Sequence, residues 1–276
     1  MAINLVTKFS PLVDEKFTAE SKTSLLTNKD YDFVGAKTIK IFTVNTAPMS
    51  DYGRNVAGTS RYGIVEDLST ELQEVSMEKD RSFTFSIDKM DEDETLGALN
   101  AGSALARQLR EVITPEVDKY TYGKMVDGAG TSVEETITAS NAYESLATAN
   151  VVFDENMVPA EGRVCACTPV FHKNLKLDPK AVLETEIGER LRIKGVVGNM
   201  DGMLIQRVPS TFLPENVNYI AGHRIATTQA IKLAEYKIHT DVVGVSGAVV
   251  EGRIYYTAFV RNNKKKALYV SKTPSA

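Results

Sequence analysis

The chain has 276 residues, 43% of them hydrophobic and 25% charged, with a formal net charge of −4 and no tryptophan. That balance excludes a protein drawn by its overall charge onto nucleic acid or an anionic membrane, since both need concentrated Lys and Arg. No window approaches the ~18 consecutive apolar residues of a membrane span, and MAINLVTKFSPLVDEKF lacks the basic start and apolar run of a signal peptide, so synthesis in a cytoplasm is expected.

Residues Met1 to Lys29 are polar, and Leu5, Phe9, Leu12, Phe17 and Leu25 are too sparse to bury a face of their own. They read as an arm that is ordered only along something else. From Tyr31, YDFVGAKTIKIFTVNT alternates β-branched and aromatic residues with polar ones, which predicts a strand. NTAPMSDYGRNVAGTSRYG is a long turn-rich excursion. The chain returns with Leu72, Val75 and Met77, an expected turn at Lys79-Asp80, and then Phe83, Phe85 and Ile87 in alternation. Two strands around a polar excursion make a long protruding hairpin, and isolated ribbons are marginal in water, so it needs a partner. Arg54, Arg61 and Arg81 lie in or beside it and are expected to form salt bridges with another subunit.

The acidic run Asp91 to Glu94 precedes a long helix, where negative charge suits the positive end of the helix dipole. From Thr95 to Met125, Leu99, Gly102, Ala106, Leu109, Ile113, Val117 and Tyr120 recur at steps of three or four, which predicts a helix of ~45 Å. Thr114-Pro115-Glu116 implies either a kink or a fresh start with Thr114 as cap. Small residues (Gly97, Ala98, Ala101, Gly102, Ala104, Ala106) let another element lie close. DGAGTS reads as a flexible break, and Ser132 to Glu135 has the form of a capping box. A second helix is expected over about Asn141 to Glu155, with Ala142, Leu146, Ala149 and Phe153 on one face. VPAEGR is a turn, VCACTP a short buried strand and FHKNLKL a short helix. Beyond them, Gly195, Gly198 and Gly202 suit tight turns between short strands. VNYIAGHRIATTQAIKLAEYKI predicts a strand and then a helix from about Arg224. EGRIYYTAFVRNNKKKALYVSK predicts a strand, a turn at Asn262-Asn263 and a strand.

Chemistry-bearing patterns are weak. His172, His223 and His239 are the three histidines, and none stands in HExxH or HxH spacing. Cys165 and Cys167 would point to one face of a strand, where a bridge is strained, and no second CxxC accompanies them; reduced, buried thiols are expected. GVVGNMDG lacks the lysine and Ser/Thr of a phosphate loop, so its glycines read as turn residues. Lys264, Lys265 and Lys266 keep a hairpin tip soluble, or else contact a phosphate or a neighbouring subunit's carboxylate. No catalytic, cofactor-binding or metal-ligating residue is nominated. An arm, a hairpin and a long helix that need covering favour an assembly subunit over an enzyme.

REVITPEVDKYTYGKM (Arg110 to Met125), NMVPAEGRVCACTPVFHKNLKLD (Asn156 to Asp178) and VVEGRIYYTAFVRNNKKKALYV (Val249 to Val270) together resemble, in order, the spine helix, the lead into the axial region and the closing strands of one family. That family is the major capsid proteins of tailed bacteriophages, with the Hong Kong 97-type (HK97-like) α+β fold. The resemblance implies an N-terminal arm (1–31), an extended E-loop hairpin (32–78), a peripheral domain with the spine helix (79–132), an axial domain (133–221) and completion of the peripheral domain by C-terminal strands (222–276). It implies a major head protein that self-assembles into pentamers and hexamers of an icosahedral shell around double-stranded DNA, in a virion assembled in the cytoplasm of a bacterial host. Contact candidates between subunits are Phe9, Phe17, Arg54, Arg61, Arg81, Lys264, Lys265 and Lys266. No cofactor and no membrane are implied.

Some members carry a scaffolding segment before the arm; here arm and hairpin fill the space ahead of the spine helix, so a separate scaffolding protein is expected beside a portal, or none is used. No lysine–asparagine pair matches the family's isopeptide cross-link, and no covalent joining is expected. The alternatives are a shell of the same fold enclosing protein cargo, like an encapsulin, and a cytosolic enzyme with an unrecognised site.

Overall fold

In the computed structural model, residues 21–31, 33, 36–54, 60–65, 67–95, 99–180, 196–240 and 242–274 are described. The chain divides into two compact units, one of Phe33–Met77 and one of Met1–Asp32 with Glu78–Ala276.

The smaller unit is a two-stranded antiparallel ribbon of β2 (Thr38–Val44) and β3 (Thr70–Ser76), in register from Thr38 opposite Ser76 to Val44 opposite Thr70. The hydrogen bond from Met77 N to Lys37 O closes its base, and that from Asn45 N to Ser69 O extends the ladder into the excursion.

The larger unit holds two sheets. The four-stranded sheet runs β1 (Thr27–Asn28), β10 (Thr227–His239), β11 (Gly247–Val260), β4 (Lys79–Asp88). The six-stranded sheet runs β5 (Thr131–Glu134), β12 (Leu268–Lys272), β9 (Val217–His223), β6 (Arg163–Cys167), β8 (Met203–Arg207), β7 (Val196–Met200). The two closing strands therefore part company, β11 into the first sheet and β12 into the second.

The long helix runs without a break over 101–127, 27 residues, as α2 (Ala101–Gln108), a π-helical turn (Leu109–Ile113) and α3 (Thr114–Asp127). Its start differs from the expected Thr95. Asn100 caps it, its Oδ1 accepting from Gly102 N at 2.9 Å, while the acidic run forms a separate short helix, α1 (Lys89–Glu94), capped by Asp88. The Thr114-Pro115 interruption is absorbed by the π turn. Proline has no N–H and crowds the carbonyl one turn back; the wider turn before it lets both the N–H and the Oγ1 of Thr114 reach Leu109 O.

α3 works on two sides. Val117 packs with Ile254 and Tyr256 of the four-stranded sheet, while Tyr122, Met125 and Val126 enter the large core beneath the six-stranded sheet. On that sheet β6 is buried at every position, with α4 (Ala142–Glu155) and α5 (Pro169–Leu177) covering one face. Tyr219 of β9 joins them: its hydroxyl lies 2.8 Å from Ser145 Oγ of α4, and its ring centroid 4.5 Å from that of Phe171 of α5.

Several local expectations are corrected. Residues Ser132 to Glu135 do not cap a helix; Thr131–Glu134 is β5, drawn into the sheet by parallel pairing with β12. The first turn of α4 is instead satisfied from a distance, Asp178 Oδ2 accepting from Tyr143 N at 3.0 Å. The segment after Arg224 is strand β10, because pairing along nearly all of β11 overrides the helical propensity of QAIKLAEYK. Lys79-Asp80 is no turn but the start of β4, opposite Tyr256 and Tyr255. The turn at Asn262-Asn263 is a 3₁₀ helix over Asn262–Ala267. DGAGTS is tightly packed: Gly130 N donates to Lys265 O at 2.9 Å, and the same carbonyl leaves no room for a side chain at Gly130.

The arm also differs from expectation at its root. Leu26 is fully buried in the large core, β1 pairs parallel with β10, and Asp118 of α3 accepts from Ser21 Oγ (2.9 Å), Lys22 N (2.7 Å) and Thr23 Oγ1 (2.8 Å). One turn on, the Tyr122 hydroxyl donates to Lys22 O at 2.9 Å. Residues 21–29 thus belong to the body of the larger unit.

Candidate assembly surfaces

The ribbon presents the largest set of exposed apolar side chains. In antiparallel pairing, directly opposed residues share a face. Phe42 of β2 stands opposite Leu72 of β3, and the two are 70% and 48% exposed. Val44 continues the same face, and in the excursion Met49, Tyr62, Ile64, Val65 and Leu68 are also exposed, Ile64 by 87%. The opposite face carries Ile41 and Val75, both buried. Tyr52 and Tyr62 meet edge to face with centroids 5.1 Å apart, and Gly53 N bonds Arg61 O at 3.0 Å, which folds the far part of the excursion back on itself. Arg54 and Arg61 flank that closure and are exposed.

The remaining contact candidates lie in the larger unit or outside the described residues. Arg81, expected to reach another subunit, bonds Glu116 Oε1 of its own α3 at 2.9 Å. Lys265 and Lys266 are exposed on the 3₁₀ helix, whereas Lys264 is half-buried. Phe9 and Phe17 lie outside the described residues.

The chemistry-bearing residues are scattered. His172 sits on α5, where burial, and then the charges of Lys176 and Arg207, hold its pKa below the ordinary value. His223 of β9 has Nε2 2.9 Å from Glu161 O, and burial likewise lowers its pKa. His239 of β10 lies 2.8 Å from Glu251 Oε1. Among the described residues no three His, Cys, Asp or Glu side chains come together as a metal site. Cys165 and Cys167 are free and buried, and burial pushes the Cys165 thiol well up, away from the thiolate that a nucleophile requires.

No family model and no curated protein matches the sequence. Solved structures do match, over nearly the whole chain. A structure from Mycobacterium phage Che8 is 19% identical, with 98% of each chain covered and a TM-score of 0.73. The capsid structure of cyanophage P-SCSP1u is 14% identical, covering 99% of this chain and 94% of the other, at 0.75. The mature capsid of bacteriophage PhiM1 is 10% identical, covering 98% and 92%, also at 0.75. The chain has the tailed-phage capsid fold.

Within the capsid fold, the apolar residues of the ribbon are the surface that reasoning from the sequence missed. Leu72, Val75 and Met77 had been grouped as one apolar set, yet Leu72 and Val75 are three apart and must point to opposite faces of a strand. Parity alone would have separated a buried Val75 from an exposed Leu72. The pairing of Phe42 with Leu72 carried no local signal, because it depends on register across the long excursion.

Proposed function

We propose that this chain is the major head protein of a tailed phage, self-assembling into the pentamers and hexamers of an icosahedral shell that encloses double-stranded DNA in the virion. The observation that carries this reading is the capsid fold matched end to end, in a subunit whose ribbon leaves Phe42, Leu72 and Ile64 uncovered. Exposed apolar area of this kind is characteristic of surfaces that meet another protein. The reading divides the chain into arm, E-loop hairpin, peripheral domain and axial domain at the boundaries the sequence suggested, with the arm's root, 21–29, fastened to its own subunit. Arg54, Arg61, Lys265 and Lys266 are the charged residues offered to neighbouring subunits, and a separate scaffolding protein and a portal are the expected assembly partners.

Electron microscopy of the purified protein, expressed alone and with its neighbouring genes, tests the reading. Closed shells or capsomers are expected. Monodisperse single subunits under both conditions overturn it. Shells that protect nucleic acid from nuclease distinguish a phage head from a compartment loaded with protein, and the absence of a multimer ladder on a denaturing gel checks that the subunits are not covalently joined.

A further inference from the structure

α4 and α5 lie on the same face of the six-stranded sheet, and their outward sides carry opposite charge. On α5, Val170, Lys173, Lys176 and Leu177 recur at helical spacing and are exposed, with Lys180 just beyond. On α4, Glu144, Thr148, Val151 and Glu155 form the corresponding exposed stripe, with Asp154 beside it and Met157 beyond. Each stripe thus combines uncovered apolar side chains, Val151 and Met157 on one and Val170 and Leu177 on the other, with charge of one sign.

Local structure does not account for all of that charge. The last turn of α4 has no basic residue and ends on Asp154 and Glu155, against the negative end of the helix dipole. Asp154 is explained by its bond to the buried Arg163, at 2.7 Å, and Glu144 lies 3.5 Å from Lys180. Glu155, Lys173 and Lys176 make no ion pair among the described residues. Residues that break a local rule without local gain are expected where another molecule supplies the compensation.

We infer that the acidic flank of α4 and the basic flank of α5 form a head-to-tail interface between successive copies of this chain. Two different patches that complement one another give a heterologous contact, which closes into a ring when the rotation between copies allows it. Complementary charge fixes the register and disfavours like-against-like docking, while Val151, Met157, Val170 and Leu177 supply the apolar contact. The inference rests on the assembly reading and adds to it which surfaces meet around a capsomer.

The test uses the full chain with two reversals: Lys173→Glu with Lys176→Glu on the basic flank, and Glu144→Lys with Glu155→Lys on the acidic one. All four side chains are exposed, so circular dichroism should be unchanged. Each reversed protein alone is expected to lose capsomers, by about tenfold or more in yield at physiological salt, and mixing the two should restore hexamers, because each then meets an opposite flank on both sides. Wild-type capsomers should weaken as salt is raised. If wild-type and both reversed proteins assemble equally, or if mixing restores nothing, the inference is overturned while the assembly reading stands. Failure of the wild-type protein to form any capsomer or shell overturns the assembly reading itself.

Discussion

Replacing Asp118 by alanine should release the root of the arm from α3 while leaving the sheets intact. The carboxylate accepts three hydrogen bonds, from Ser21 Oγ at 2.9 Å, Lys22 N at 2.7 Å and Thr23 Oγ1 at 2.8 Å. Bonds to a charged acceptor contribute ~1.5–3 kcal/mol each, but Asp118 is only 1% exposed and burying its charge offsets several kcal/mol of that. The net loss on truncation is therefore ~2–4 kcal/mol, felt first at 21–28. Hydrogen exchange reads it at the Leu26 amide, which bonds Thr23 O at 2.9 Å. Burial is the largest influence on the Asp118 pKa and raises it, outweighing the donors Lys22, Thr23 and Ser21. Between the ordinary carboxylate value near 4 and its raised folded value, the folded subunit then holds the extra proton. Stability should accordingly rise as pH falls through that window, and Asp118→Asn should abolish that slope. Unchanged exchange at Leu26 in Asp118→Ala, or a slope of opposite sign, refutes the reasoning.

Leu26→Ala should cost ~2–5 kcal/mol in denaturant titrations, since the side chain is fully buried; equally, deletion of residues 1–29 should destabilise the subunit by circular dichroism, whereas a deletion ending at residue 20 keeps Leu26 and the partners of Asp118. Asp178→Ala should lower the thermal midpoint by uncapping α4. Backbone N–H groups of Tyr143 and Lys180 hold the Asp178 carboxyl below its usual range, so its contribution is present above about pH 4 and is lost as pH falls through the lowered value. The gap between variant and wild type should close in acid. Gly252→Ala should cost ~1–3 kcal/mol by the same titrations, because a methyl there would overlap the rings of Phe83 and Tyr236, which stack across the glycine from the two neighbouring strands with centroids 6.2 Å apart.

What could be read from the sequence divides along a physical line. α4, β6 and α5 were legible because each has its own periodicity and its own signals, such as Thr168 and Pro169 opening α5. The tight turn between β7 and β8 was legible in Gly202, whose φ of 74° follows Asp201 at 53°. β5 and β10 were not, because each owes its state to a distant strand: β12 lies far along the chain from β5, and β11 converts a helix-forming stretch into an edge-to-edge ladder. The arm was misjudged for the same reason. A lone Leu26 among polar residues looks expendable until Asp118 and Tyr122, one turn apart on α3, are seen to hold the backbone beside it. Long-range pairing, not propensity, decided every such case.

The ribbon is where this logic reaches beyond the single subunit. A two-stranded sheet has two outer edges, and each strand leaves half its backbone groups unpaired by its neighbour. Here that deficit coincides with an apolar face bearing Phe42, Val44 and Leu72 and an excursion bearing Ile64 and Val65, the last 86% exposed. Water can satisfy the edges but gains nothing from the side chains, and burying the pair Phe42 and Leu72 alone would be worth ~3–5 kcal/mol by area. That gain is small per subunit and large when one interface repeats around a closed shell. A surface of this kind is therefore better adapted to an assembly of many weak identical contacts than to one tight complex.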